Sequence, residues 1–129
     1  MKVNAATLQG IVLFAHGSRD PLWHQPIEAV ARQIGVLDPS AKVSCAYLEL
    51  SSPTLEVAVQ NLLMQGVSAI RIVPLFLGVG KHAREDLPLL VYAIKQQHPE
   101  IEVTLQAAVG QNTKLVRLMA EIALEMDFP

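Results

Sequence analysis

Two histidines stand where an apolar run meets glycine. His16 ends the run over residues 11–15 in IVLFAHGSRD, and His82 follows Gly78 and Gly80 in LFLGVGKHAREDLP, residues 75–88. Neutral imidazole is a common ligand for first-row divalent metals and a base that works near neutral pH. Two such ligands hold a metal weakly, which suits a protein that passes metal on better than one that stores it. Glu49 interrupts the apolar AYLEL and is a candidate third ligand or proton acceptor. Arg19, Lys81 and Arg84 lie within three residues of one histidine or the other, in a chain whose net charge is −2. Local cations on an acidic background point to an anionic ligand. Gly78 and Gly80 would let backbone approach that ligand closely.

The elements that must position these residues are read from apolar runs and their punctuation. Continuous apolar or alternating stretches predict strands over 10–15, 43–50, 69–77 and 101–108. Helices are expected over about 26–36, from Ser52-Pro53 to about Gln65 with Gly66 as the stop, and from Arg84 or Leu87 to Gln97. A last helix, capped by Asn112 or Thr113, carries Leu115, Leu118, Met119 and Ile122 on one face. Strand and helix alternate four times, which predicts an α/β fold with a four-stranded parallel sheet and helices on both faces. Right-handed crossovers favour strand order 2-1-3-4. In that order strands one and three are neighbours and their connections leave toward opposite faces. Open α/β sheets bind ligands at such a switch point, beyond the strands' C-terminal ends. His16 follows strand one and His82 follows strand three, so both are expected to face one crevice.

Composition bounds the remaining possibilities. The 129 residues, 51% hydrophobic and 17% charged, predict one globular domain over 1–129 with a polar lead at 1–9. Such a domain buries roughly two thirds of its unfolded surface. The acidic balance argues against a nucleic-acid partner, which needs a basic face. No run approaches the roughly 20 apolar residues of a membrane span. The run at 11–15 is too short for a signal-peptide core, and Cys45 is the sole cysteine. A cytoplasmic location is expected, with no membrane partner.

The pair AHGSRDP and PLFLGVGKHAREDLP resembles the short form of the CbiX/SirB family of sirohydrochlorin chelatases, the class II tetrapyrrole chelatases. The likeness runs from about Gly10 to the last helix, and the second motif is the more specific. It implies a chelatase that inserts a divalent metal, Co²⁺, Fe²⁺ or Ni²⁺, into sirohydrochlorin or a related tetrapyrrole, for cobalamin or siroheme. It places metal binding and proton acceptance on His16, the second ligand on His82, and a further metal contact on Glu49. It assigns the loop Leu77, Gly78, Val79, Gly80 and Lys81 to the tetrapyrrole site. It also implies a homodimer and no use of ATP. The chemistry suits these residues: two inner N–H protons must leave as the metal arrives. Imidazoles can present the ion, a histidine or Glu49 can take a proton, and Arg19, Lys81 and Arg84 can hold peripheral carboxylates.

Other readings are weaker or simpler. A phosphate-binding loop needs G-x-x-x-x-G-K-[ST], but Leu75 and His82 stand where the first glycine and the hydroxyl belong. A histidine phosphatase would carry an arginine directly before His16, where Ala15 stands. A non-enzymatic metal carrier using the same histidines is the main alternative. His24 and His98 are read as structural, His98 at a helix C-terminus where a cation suits the dipole. Cys45 is read as a buried strand residue, and Trp23 as packing beside the first motif.

Overall fold

The structure is a computed structural model that describes residues 9–125. Its order is β1 (Gln9–Ala15), α1 (Gln25–Leu37), β2 (Lys42–Tyr47), α2 (Leu55–Met64), β3 (Ala69–Pro74), α3 (Lys81–Gln97), β4 (Glu102–Leu105) and α4 (Thr113–Leu124). Short 3₁₀ turns, Pro21–His24 and Val109–Gln111, precede α1 and α4. The four strands form one parallel sheet in the order β2-β1-β3-β4, as the alternation predicts. The register aligns Ala15 with Tyr47 and Phe14 with Pro74, so β1, β2 and β3 end at nearly the same level.

The two faces of this sheet are covered unequally. One face carries Val12, Phe14, Ile70, Ile72 and Val103 against Leu55, Val59 and Leu62 of α2 and Leu87, Val91 and Ile94 of α3. These residues form the hydrophobic core. On the opposite face Leu13 and Ala15 are buried, but Ile11 and Val73 are only half-buried and Arg71 is exposed. The helices α1 and α4 contribute no fully buried residue. In α4, Leu118 and Ile122 are each 51% exposed despite lying on its apolar stripe.

Several boundaries differ from the sequence reading. Helix α3 begins at Lys81 rather than at Arg84 or Leu87. Gly80 takes extended N-cap geometry, and the Arg84 N–H donates to the Gly80 carbonyl at 3.0 Å, closing the first turn. Pro88 lies inside α3, where it leaves one carbonyl without its helical donor. Helix α2 is capped by Thr54, whose Oγ1 accepts from the Val57 N–H, and not by Ser52. The Pro53 carbonyl, which would have served the helix's first turn, instead accepts from the Tyr47 N–H at the end of β2. The strands stop short as well. Single bonds from Leu48 to Ala15, Leu75 to Phe14 and Gln106 to Ile72 continue the ladder before the chain turns away.

Candidate functional site

The chain leaving the carboxyl ends of β1 and β3 leads to the two histidines. His16 leaves β1 directly, and its ring lies 4.5 Å from the Phe76 ring at 31°. Phe76 is buried and packs in turn on Phe14 at 6.2 Å. The imidazole of one strand end therefore rests on an aromatic floor supplied by the other. His82 sits in the first turn of α3, exposed, on the chain that leaves the same floor.

Close backbone contacts fix both loops. A Cβ at Gly17 would lie 1.3 Å from the Glu49 carbonyl oxygen, so only glycine fits between His16 and the β2 exit. A Cβ at Gly110 would lie 1.7 Å from the Leu77 carbonyl oxygen, and the Gly110 N–H donates to the Phe76 carbonyl at 3.0 Å. Gly78 and Gly80 are different. A Cβ at either meets nothing within 4 Å, so the fold itself does not demand glycine there. Their open side is where a ligand could approach.

The remaining candidates are distributed around these loops. Leu77 is two-thirds exposed, while Val79 packs against the core. Arg84 folds back, its Nη1 donating to the Val79 carbonyl at 2.8 Å. Lys81 and Arg19 are exposed, and among the described residues neither has an ion-pair partner. Glu49 lies two residues past the end of β2, exposed, in a bend followed by Leu50 at φ 63°. Among the described residues no three His, Cys, Asp or Glu side chains gather closely enough to hold a metal. His16, His82 and Glu49 therefore do not form a preassembled three-ligand set. A cleft of about 310 Å³ opens beside the first turn of α3, walled by Pro74, Val79, Ala83, Leu87 and Leu105 with Arg84 at its edge.

Sequence reading missed Phe76 and Gly110. Phe76 is one more apolar residue in PLFLG, and nothing in its spacing marks it as the floor under His16. Gly110 lies far along the chain from the loop it braces. Cys45 is half-buried, and burial, with the Glu28 carboxylate nearby, pushes its thiol up. A thiol held protonated is a poor metal ligand.

A parallel α/β sheet whose switch-point strands lead to His16 and His82 belongs to the class of open sheets that take ligands beyond the strands' C-terminal ends. The comparison with known proteins narrows that class. The CbiX family model matches residues 10–126, and the chain belongs to that family. A sirohydrochlorin cobaltochelatase of Saccharolobus solfataricus is 30% identical over 118 residues, covering 87% of this chain and 91% of the relative. A sirohydrochlorin cobaltochelatase of Methanopyrus kandleri is 35% identical over 81 residues, 63% of this chain but only 57% of the relative. Among solved structures, a putative cobalamin biosynthesis CbiX protein from Marinobacter aquaeolei superposes with a TM-score of 0.78 at 32% identity, covering 91% of this chain and 95% of that one. The sirohydrochlorin chelatase SirB from Bacillus subtilis, in complex with cobalt, shares the fold (TM-score 0.77, 24% identity), and 92% of this chain matches 50% of it.

Proposed function

We propose that this protein is a sirohydrochlorin chelatase, inserting Co²⁺, Fe²⁺ or Ni²⁺ into the macrocycle without ATP. The observation that carries the reading is that His16, leaving β1, stacks on Phe76, while the chain leaving the adjacent β3 runs from Phe76 to His82 in the first turn of α3. The names of the relatives support it. The metal is a substrate. His16 and His82 present it to one face of the macrocycle, and the weak two-imidazole hold lets it leave. As the metal bonds to the inner nitrogens, two protons depart, and a histidine or Glu49 accepts them. All three metals accept imidazole, so ligand type does not rank them. The Leu77–Lys81 backbone receives the ring, while Arg19, Lys81 and Arg84 hold peripheral carboxylates.

The reading includes a homodimer in the cytoplasm. Its support is the thin face of the sheet, where α4 shows Leu118 and Ile122 half exposed, and the span of this chain over half of SirB. A second copy supplies the missing cover. Leu118→Glu is expected to turn the dimer into monomer in analytical ultracentrifugation; an unchanged dimer would place the interface elsewhere.

The deciding experiment is anaerobic metal insertion into sirohydrochlorin, followed by visible absorption against the spontaneous rate, with His16→Ala and His82→Ala alongside. Acceleration that both variants lose is the expected result. Metal binding with no tetrapyrrole affinity and no acceleration would replace the enzyme with a metal carrier.

A further inference from the structure

Histidine at position 24 is not on any metal-facing strand end, yet it closes a ring of hydrogen bonds around the His16 loop. The Ser51 hydroxyl donates to the Ser18 carbonyl at 2.7 Å and accepts from the Ser18 N–H at 3.0 Å. His24 Nε2 lies 3.0 Å from the same oxygen. A serine hydroxyl has one proton and two lone pairs. Its proton goes to the Ser18 carbonyl, so the His24 contact must be an Nε2–H donating to Ser51. All three capacities of Ser51 are then used.

The ring continues through the chain. Ser18 Oγ accepts from the Asp20 N–H at 3.1 Å, and the Asp20 carboxylate accepts from the Leu22 N–H at 3.0 Å, capping the turn that ends at His24. His24 is stacked on Tyr47 at 4.5 Å and 20°, with Trp23 edge-on to it. Tyr47 closes β2, so the imidazole is aimed by the sheet itself. One residue before Ser18, Gly17 is pressed on the Glu49 carbonyl.

We propose that Ser51 and His24 form a clasp that positions the loop carrying His16, and with it the Glu49 bend, for metal binding. They are positioning residues, and the assignment rests on the reading of His16 as a metal ligand. Groups that orient a metal ligand from behind typically carry 10–100-fold of metal affinity. The clasp has the same role here, acting through backbone rather than through the imidazole's second nitrogen.

The test is Co²⁺ binding to the full chain by calorimetry, with amide hydrogen exchange at Ser18, for wild type, His16→Ala, Ser51→Ala, Ser51→Thr, His24→Phe and His24→Gln. Ser51→Ala and His24→Phe are expected to weaken Co²⁺ binding at least about tenfold and to speed exchange of the Ser18 amide. Ser51→Thr keeps the hydroxyl, and His24→Gln keeps an N–H donor at similar reach. Both are expected to recover most of the affinity and the protection. Phenylalanine preserves the stack on Tyr47 and glutamine does not, so recovery in His24→Gln alone reports the donor rather than packing. Full affinity in Ser51→Ala and His24→Phe, or equal loss in both members of each pair, overturns the clasp. If His16→Ala abolishes binding while the clasp variants do not weaken it, the clasp alone fails. If His16→Ala binds Co²⁺ like wild type, the ligand reading falls and takes the clasp's role with it.

Discussion

The two histidines are mounted in opposite ways. Both side chains are exposed, but the backbone around His16 is fixed: its ring lies on Phe76, Gly17 behind it is pressed against the Glu49 carbonyl, and Ser18 is bonded twice to Ser51. His82 projects from the first turn of a helix whose N-cap, Gly80, offers no side chain to the turn's free N–H groups. The glycines leading to it face open space. On the proposed reading, one ligand on a fixed loop and one on an open helix turn suit a site that must accept a metal and then release it to a second acceptor. Rigid placement lowers the ordering cost of binding, while an exposed partner leaves a path for exchange.

The contrast can be broken most severely at the shared floor. Phe76→Ala is expected to destabilise the fold by about 4 kcal/mol, the usual range for truncating a buried aromatic, and to free the His16 ring. Chemical denaturation measures the first effect and Co²⁺ affinity the second. A loss well under half that size would show that neighbouring side chains collapse into the gap.

Gly17→Ala comes next. Its methyl would overlap the Glu49 carbonyl, so the loop must be rebuilt, at about 2–3 kcal/mol by analogy with overpacked sites. Gly110→Ala should cost a similar amount through the Leu77 carbonyl, loosening the His82 side instead. The pair separates the two mounts: Gly17→Ala should weaken Co²⁺ binding more than Gly110→Ala does. Equal losses in metal affinity would deny His16 its position as the better-fixed ligand.

The smallest effects belong to the open glycines. Gly78→Ala is expected to change stability by less than about 0.5 kcal/mol, as for surface positions without special contacts. Gly80→Ser should raise it by a few tenths of a kcal/mol, by supplying the missing cap. If either slows metal insertion while stability stays unchanged, the glycines serve approach of the macrocycle rather than the fold. Thermal melts and single-turnover insertion rates read the two quantities independently.

Much of the framework was legible in the residues. Four apolar runs separated by helical patterns can form a parallel sheet in few orders, because right-handed crossovers exclude most of them. The histidines were legible as a pair because each follows a strand. Element starts were less legible where one residue type serves two purposes. Pro53 reads as a first-turn proline after Ser52, but it gives its carbonyl to β2 and the cap falls to Thr54. Glu49 reads as closing a strand, but β2 ends at Tyr47 and the carboxylate stands in the bend beyond. His24 reads as structural, and nothing in sequence places it on Ser51, because the contact joins loops after different strands.

The amino-acid sequence by itself determined the period of the elements, the sheet they form and the two strand ends where imidazole appears, since these follow from local pattern and chain handedness. Only the tertiary structure decided how each imidazole is held. Gly17 against Glu49, Gly110 against Leu77 and the Ser51 clasp are contacts between segments far apart in the chain, and their geometry exists only once the sheet has brought those loops together. The unequal faces were decided there too. An apolar stripe on α4 is written in the residues, but whether its own sheet covers it depends on where the helix comes to rest.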